Sequence, residues 1–141
     1  MFNAKVYKVM VGSLSGTMEE VYAAKETIRK WNLENAEREG KLFLPVGWST
    51  NADDIKLVDV LIGIVGNRVE NVGMVEDCIK ARKQVMLFFC SYNDPKNTIP
   101  REQEDVLFLK RKVQESCYSS IYNGLDDLRH KLEVVITSVC L

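Results

Sequence analysis

Metal-binding side chains are scarce in this chain: His130 is the sole histidine, and Cys78, Cys90, Cys117 and Cys140 stand far apart without a C-x-x-C pair. A zinc centre needs clustered thiols and imidazoles, so the spacing supports no metal site, and free, mostly buried thiols are expected instead. Charge of one sign is lacking as well. Nineteen basic residues against twenty acidic ones leave a net charge of −1, too weak a field to gather a polyanion, and nucleic acid is not expected as a partner. No apolar run approaches the roughly 18 residues of a membrane span, and the opening residues carry no signal-peptide pattern. A cytoplasmic protein without a membrane partner is the expectation. Repeats, low-complexity tracts and linkers are also missing, and 141 residues with 46% apolar content make one domain over residues 1–141.

What is present alternates strand with helix. Lys5 to Val11 reads as a first strand, released by Gly12-Ser13-Leu14-Ser15-Gly16 into a helix that Thr17 and Glu20 open as a capping box. Met18, Val21, Ala24, Ile28 and Trp31 recur at helical spacing, and Gly40 closes the helix. Leu42 to Val46 is a second strand, with Pro45 pointing to an edge position or an early end. Ser49 to Val58 leaves room for only about two helical turns, from Ala52 to Leu57, where a crossover normally needs about a dozen residues.

Val58-Asp59-Val60-Leu61-Ile62-Gly63-Ile64-Val65-Gly66 and Val85-Met86-Leu87-Phe88-Phe89 are continuous and β-branched or aromatic, the signature of strands buried on both faces. Between them the pattern predicts a helix from about Met74 to Lys83. A turn-rich loop, Asn93 to Asn97, precedes a helix from Arg101 to about Ser116 that buries Val106, Leu109 and Val113. Ser119 to Tyr122 is a short fifth strand, and Gly124 introduces a last helix with Leu125, Leu128, Leu132, Val135 and Val139 on one face. Such alternation implies a three-layer α/β domain, flavodoxin-like or Rossmann-like, with a four- to five-stranded, mainly parallel sheet.

Polar groups just past the C-terminal ends of parallel strands are where open α/β sheets hold ligands. Gly12 and Ser13 fit a phosphate or ribose approached by backbone N–H groups and a hydroxyl, or equally an ordinary strand-to-helix turn. Trp48 is either a base-stacking platform or a core residue. Gly66, Asn67 and Arg68 supply close backbone approach, an amide and a guanidinium, or simply a polar turn. Gly73 opens the next helix, and Glu76 and Asp77 are expected in its first turn, where the helix dipole favours carboxylates in any case. The basic triplet Lys80, Arg82 and Lys83 is expected to complement the negative end of that dipole.

From Tyr7 to Phe89, about 60% of its length, the chain resembles the nucleoside 2-deoxyribosyltransferase-like superfamily, and within it bacterial proteins that carry this domain at the front of longer chains. The matching stretches are Val9-Met10-Val11-Gly12-Ser13, Ile28-Arg29-Lys30-Trp31-Asn32, Leu44-Pro45-Val46-Gly47-Trp48, Asp59-Val60-Leu61-Ile62-Gly63-Ile64, Val72-Gly73-Met74-Val75-Glu76-Asp77 and Ala81-Arg82-Lys83-Gln84-Val85-Met86. In those transferases a Gly-Thr-x-x-Glu motif supplies the carboxylate that attacks the sugar's anomeric carbon. The resemblance implies a nucleoside or nucleotide pocket at the strand C-termini with Asp77 in the nucleophile's place. Met74 stands where the family has threonine, Asp77 where it has glutamate, and Ser49-Thr50 where an acidic residue follows the tryptophan.

The functional expectation is therefore a nucleoside- or nucleotide-binding domain that cleaves or transfers an N-glycosidic bond through a carboxylate. Asp77 and Glu76 are its candidate catalytic residues; Gly12, Ser13, Trp48, Asn67, Arg68 and Gly73 are its candidate ligand contacts. No cofactor is called for. The alternatives are a catalytically silent module that senses or sequesters a nucleotide-derived ligand, and a TIR-like NAD-cleaving domain. Homo-oligomers are a further expectation, since the transferases build pockets between subunits and this chain ends in an apolar segment, Val134-Val135-Ile136 and Val139-Cys140-Leu141.

Overall fold

A computed structural model describes residues 1–14, 17–47, 51–66, 68–91 and 100–139. Five strands, β1 (Lys5–Ser13), β2 (Lys41–Val46), β3 (Val60–Val65), β4 (Gln84–Cys90) and β5 (Tyr118–Tyr122), form one sheet in the order β2-β1-β3-β4-β5. Every pairing is parallel. The helices are α1 (Met18–Glu39), α2 (Ala52–Lys56), α3 (Val72–Lys80), α4 (Pro100–Val113) and α5 (Leu125–Thr137). This is the three-layer, flavodoxin-like arrangement that the alternation predicts.

Two apolar layers hold it. On one face, Tyr7, Val9, Ile62, Ile64 and Phe88 pack against Val21, Ile28 and Trp31 of α1 and Leu128, Leu132 and Ile136 of α5. On the other, Met10, Leu61, Leu87 and Phe89 pack against Ile55 of α2, Met74, Val75 and Cys78 of α3, and Leu109 and Val113 of α4. All six residues of β3 are buried, as a strand covered on both faces requires. Asp59 starts the β1–β3 pairing, its carboxylate accepting the Lys8 N–H at 2.8 Å and its own N–H donating to the Lys8 carbonyl at 2.9 Å.

β2 is an edge strand, as Pro45 indicated. Its outer side is guarded by Asn32 of α1, whose amide donates to the Phe43 carbonyl (2.7 Å) and accepts the Phe43 N–H (3.0 Å). Trp31, one residue earlier, meets Phe43 edge-on at 5.0 Å and donates its indole N–H to Thr137 Oγ1 at 2.9 Å. The Trp31-Asn32 pair thus ties α1 to β2 and to the end of α5.

The crossover between β2 and β3 is as short as expected, and α2 has just five residues. Its brevity leaves the β2 end of that face thinly covered. Leu44 and Leu57 stay 45% and 63% exposed, and a hollow of ≈360 Å³ opens among Lys8, Met10, Val46, Asp54 and Leu57.

Several boundaries differ from the sequence expectation. β1 continues through Gly12 and Ser13 because both pair with β3, opposite Gly63 and Ile64. α3 begins at Val72 and ends at Lys80, so only Lys80 of the basic triplet lies in its last turn. Arg82 sits in a left-handed turn at φ 59°, and Lys83 Nζ donates to the Lys56 carbonyl at 3.1 Å. The C-terminal apolar segment is mostly core: Val135, Ile136 and Val139 are buried and Val134 is exposed, whereas Cys140 and Leu141 lie outside the described residues. Cys78, Cys90 and Cys117 form no disulfide. Among the described residues no helix is long and apolar enough to cross a membrane, and no group of acidic, thiol or imidazole side chains could hold a metal.

Candidate functional site at the strand C-terminal edge

The strand order reverses between β1 and β3: the chain leaves β1 for β2 on one side and returns past β1 to β3 on the other. Such switch points leave a crevice beyond the strand C-termini. Here its floor is built by three residues of the β1–α1 turn. Thr17 Oγ1 donates to the Ile64 carbonyl of β3 at 3.1 Å, which spends its one proton. Ser13 Oγ, 2.7 Å from Thr17 Oγ1, therefore donates to it while accepting the Thr17 N–H at 3.0 Å. Leu14 donates its N–H to the same Ile64 carbonyl (2.9 Å) and accepts the Glu70 N–H (2.7 Å), so the turn is stitched to β3 and to the segment after it.

Thr17 is the N-cap of α1, but its side chain makes no cap hydrogen bond. The expected capping box with Glu20 is thus absent, because the hydroxyl that would close it is committed to β3. The consequence is that the Thr17 hydroxyl does not occupy the N–H groups of the first turn, whose partial positive charge faces the strand C-terminal edge. Glu19 and Glu20 lie in that same turn and moderate it.

The other proposed residues are distributed as follows. Gly12 is buried in β1. Arg68 is exposed and pairs with Glu70 at 3.5 Å. Trp48 and Asn67 lie outside the described residues. Gly73 is the second residue of α3, exposed, with nothing within 4 Å of where a Cβ would stand.

Because α3 starts at Val72, Glu76 and Asp77 fall in its second turn, and the first turn holds no acid. Asn71 causes the shift: it takes a left-handed conformation, φ 58°, and turns the chain into the helix before Gly73. Met74, Val75 and Cys78 form the buried side of α3, and Asp77 is exposed. Glu76 is engaged by Lys112 of α4 in an ion pair whose hydrogen bond and charge hold its carboxyl below the ordinary 4.5. Two hollows flank that pair, one of ≈290 Å³ with Ile79, Lys80 and Val113, the other of ≈190 Å³ with Val69, Val72 and Phe108. Sequence reading missed Thr17 as a β3 contact, Leu14 as the stitch and Lys112 as the partner of Glu76. Each depends on residues far apart in the chain, and no local pattern announces them.

At the β5 end of the sheet, Tyr122 is buried opposite Cys90. Burial first, and then the neighbouring Cys90 and Glu20, raise its hydroxyl pKa, so it stays neutral. Burial likewise pushes the Cys117 thiol up to about 11.

No family model matches the chain, and no curated protein matches it. Among solved structures it is similar to a short-chain flavodoxin associated with a non-canonical PDU bacterial microcompartment, with a TM-score of 0.50 and 12% identity over 98% of this chain and 100% of that one. At that identity the likeness defines the class of fold, an open parallel α/β domain of flavodoxin-like order.

Proposed function

We propose that this domain binds a nucleotide-like ligand at the β1/β3 switch point, with the ligand's phosphate at the N-terminus of α1. The single observation that carries this reading is the Thr17 hydroxyl, turned away from its own helix to Ile64, so that the N-cap side chain does not take up the first-turn N–H groups of α1. Ser13 shapes the turn. Arg68, on the segment stitched to Leu14 through Glu70, offers a guanidinium from the β3 side that a ligand phosphate would share with Glu70.

Binding is favoured over turnover by the placement of the two acids. Retaining glycosyl transfer needs a carboxylate held against the anomeric carbon. Glu76 is held by Lys112, and Asp77 sits exposed on the second turn of a helix whose first turn faces the crevice. Cleavage of an N-glycosidic bond by Asp77 is the second reading, supported by the Gly73-Met74-Val75-Glu76-Asp77 spacing that resembles the transferase motif.

Calorimetric titration with matched pairs, adenosine against AMP and riboflavin against FMN, together with NAD, tests the first reading. A phosphorylated member is expected to bind at least about tenfold tighter than its unphosphorylated partner, the typical size of a charge-assisted contact. Equal affinity within every pair, or no binding, rejects the phosphate site. Mass spectrometry of the same mixtures decides the second reading. Free base that appears with the native protein and vanishes with Asp77→Ala establishes cleavage, and intact ligands leave a binding module.

A further inference from the structure

Beyond Arg101 at its start, α4 is segregated by charge along its length. Glu102, Glu104 and Asp105 lie in its first half, Lys110, Arg111 and Lys112 in its second, and two large apolar side chains between them face solvent, Leu107 at 51% and Phe108 at 67% exposure. Leu109 and Val113 fix the buried side. At 3.6 residues per turn the opposite side is then Glu104, Leu107, Phe108 and Arg111, the i, i+3, i+4, i+7 stripe of a helix-packing face. All four are exposed.

Three other charges of α4 lie against neighbouring elements. Lys112 holds Glu76, Lys110 lies 6.0 Å from the Phe89 ring centroid, and Asp105 lines the hollow beside Phe108. Among the described residues Glu104 and Arg111 form no ion pair with one another or with any neighbour, and they stand seven positions, about 10 Å of helix, apart.

We infer that this stripe is a self-complementary interface, and that its occupant is α4 of a second copy of this chain lying antiparallel across a twofold axis between Leu107 and Phe108. In that arrangement Glu104 of each copy meets Arg111 of the other, and Leu107 of each meets Phe108. The stripe reads negative, apolar, apolar, positive, so reversal maps each charge onto its opposite, which is the condition an isologous contact must satisfy. A heterologous partner would not require that symmetry. The ≈190 Å³ hollow walled by Phe108, Val69 and Val72 adjoins the stripe and extends the apolar area available for burial.

Sedimentation velocity on the full chain, from about 1 to about 100 μM, tests the interface at the weak end of the range for small contacts. A dimer is expected whose dissociation constant rises with salt. Glu104→Arg and Arg111→Glu each turn both symmetry-related pairs repulsive and should weaken it at least about tenfold, and the double variant restores the pairs and the dimer. Phe108→Asp should give monomer, while Leu33→Asp, at an exposed position on α1, leaves the dimer intact. Melting curves confirm that each variant is folded. A monomer throughout the concentration range overturns the inference. So does a dimer indifferent to Phe108→Asp and Glu104→Arg, or a double variant that fails to recover.

Discussion

Gly63 and Leu87 are register partners on β3 and β4, so close that a Cβ on Gly63 would stand 2.8 Å from Leu87 Cδ2 and 3.3 Å from Leu14 Cδ1. The missing side chain is what lets Leu14 fold over β3, and Leu14 is the residue that stitches the β1–α1 turn to Ile64 and Glu70. Core packing at one glycine therefore sets the geometry of the switch point. Gly63→Ala forces Leu14 or Leu87 aside in a layer where both are fully buried, and a loss of about 1–3 kcal/mol is expected from overpacking. Urea unfolding measures it, and a variant as stable as the native chain would contradict the crowding.

Asn32 satisfies both backbone groups of Phe43 on the outer side of the edge strand. Asn32→Asp keeps the shape and the acceptor but replaces the donor with a second oxygen facing the Phe43 carbonyl. Breaking one bond while creating that repulsion should cost about 1–3 kcal/mol. Asn32→Ala opens the β2 edge as well, and its unfolded or partly opened chains should aggregate faster on heating. Light scattering during a thermal ramp distinguishes the two: both variants lose melting temperature, and the alanine variant scatters more.

The apolar runs of β3 and β4 were legible as doubly covered strands because burial on two faces removes the alternation that a solvent-facing strand keeps. The trimmed β2–β3 crossover was legible as plain chain length, and the edge position of β2 from Pro45. The site was less legible, for particular reasons. Thr17 and Glu20 have the spacing of a capping box, but Ile64 lies 47 residues along the chain and competes for the same hydroxyl. Gly73 looked like the residue that opens α3, whereas Asn71 in a left-handed conformation starts the helix earlier and moves Glu76 and Asp77 into the second turn. Sequence spacing gave the acids their numbers; which way each turns was decided by Met74, Val75 and Cys78 packing on β3 and β4, and by Lys112 reaching across from α4.

The Glu76–Lys112 pair joins α3 to α4 and carries a signature in pH. Its folded-state carboxyl lies below the ordinary 4.5, so the pair's contribution is present above that value and is lost as pH falls through the lowered folded value. Both side chains are partly solvated, 34% and 48% exposed, and the contribution is correspondingly small. Lys112→Gln should lower the urea midpoint at about pH 7, and the difference should shrink as pH falls through the lowered folded value and Glu76 takes up its proton. A difference that persists unchanged at low pH would assign the effect to packing around Val113 and Ile79 instead.

Gly73 separates stability from function. It occupies the second position of α3 with open space where a Cβ would go and with no positive φ to demand glycine. Gly73→Ala removes backbone freedom from the unfolded chain at no steric cost to the folded one, and a gain of about 0.5–1 kcal/mol is expected. If a ligand phosphate or ribose approaches the backbone of the α3 N-terminus, the added methyl stands in its way, and the same variant should bind the nucleotide identified by calorimetry at least about tenfold more weakly. Melting temperature and affinity would then move in opposite directions. Affinity that rises or holds steady while the melting temperature climbs would remove Gly73 from the site and confine ligand contact to the β1–α1 side of the switch point.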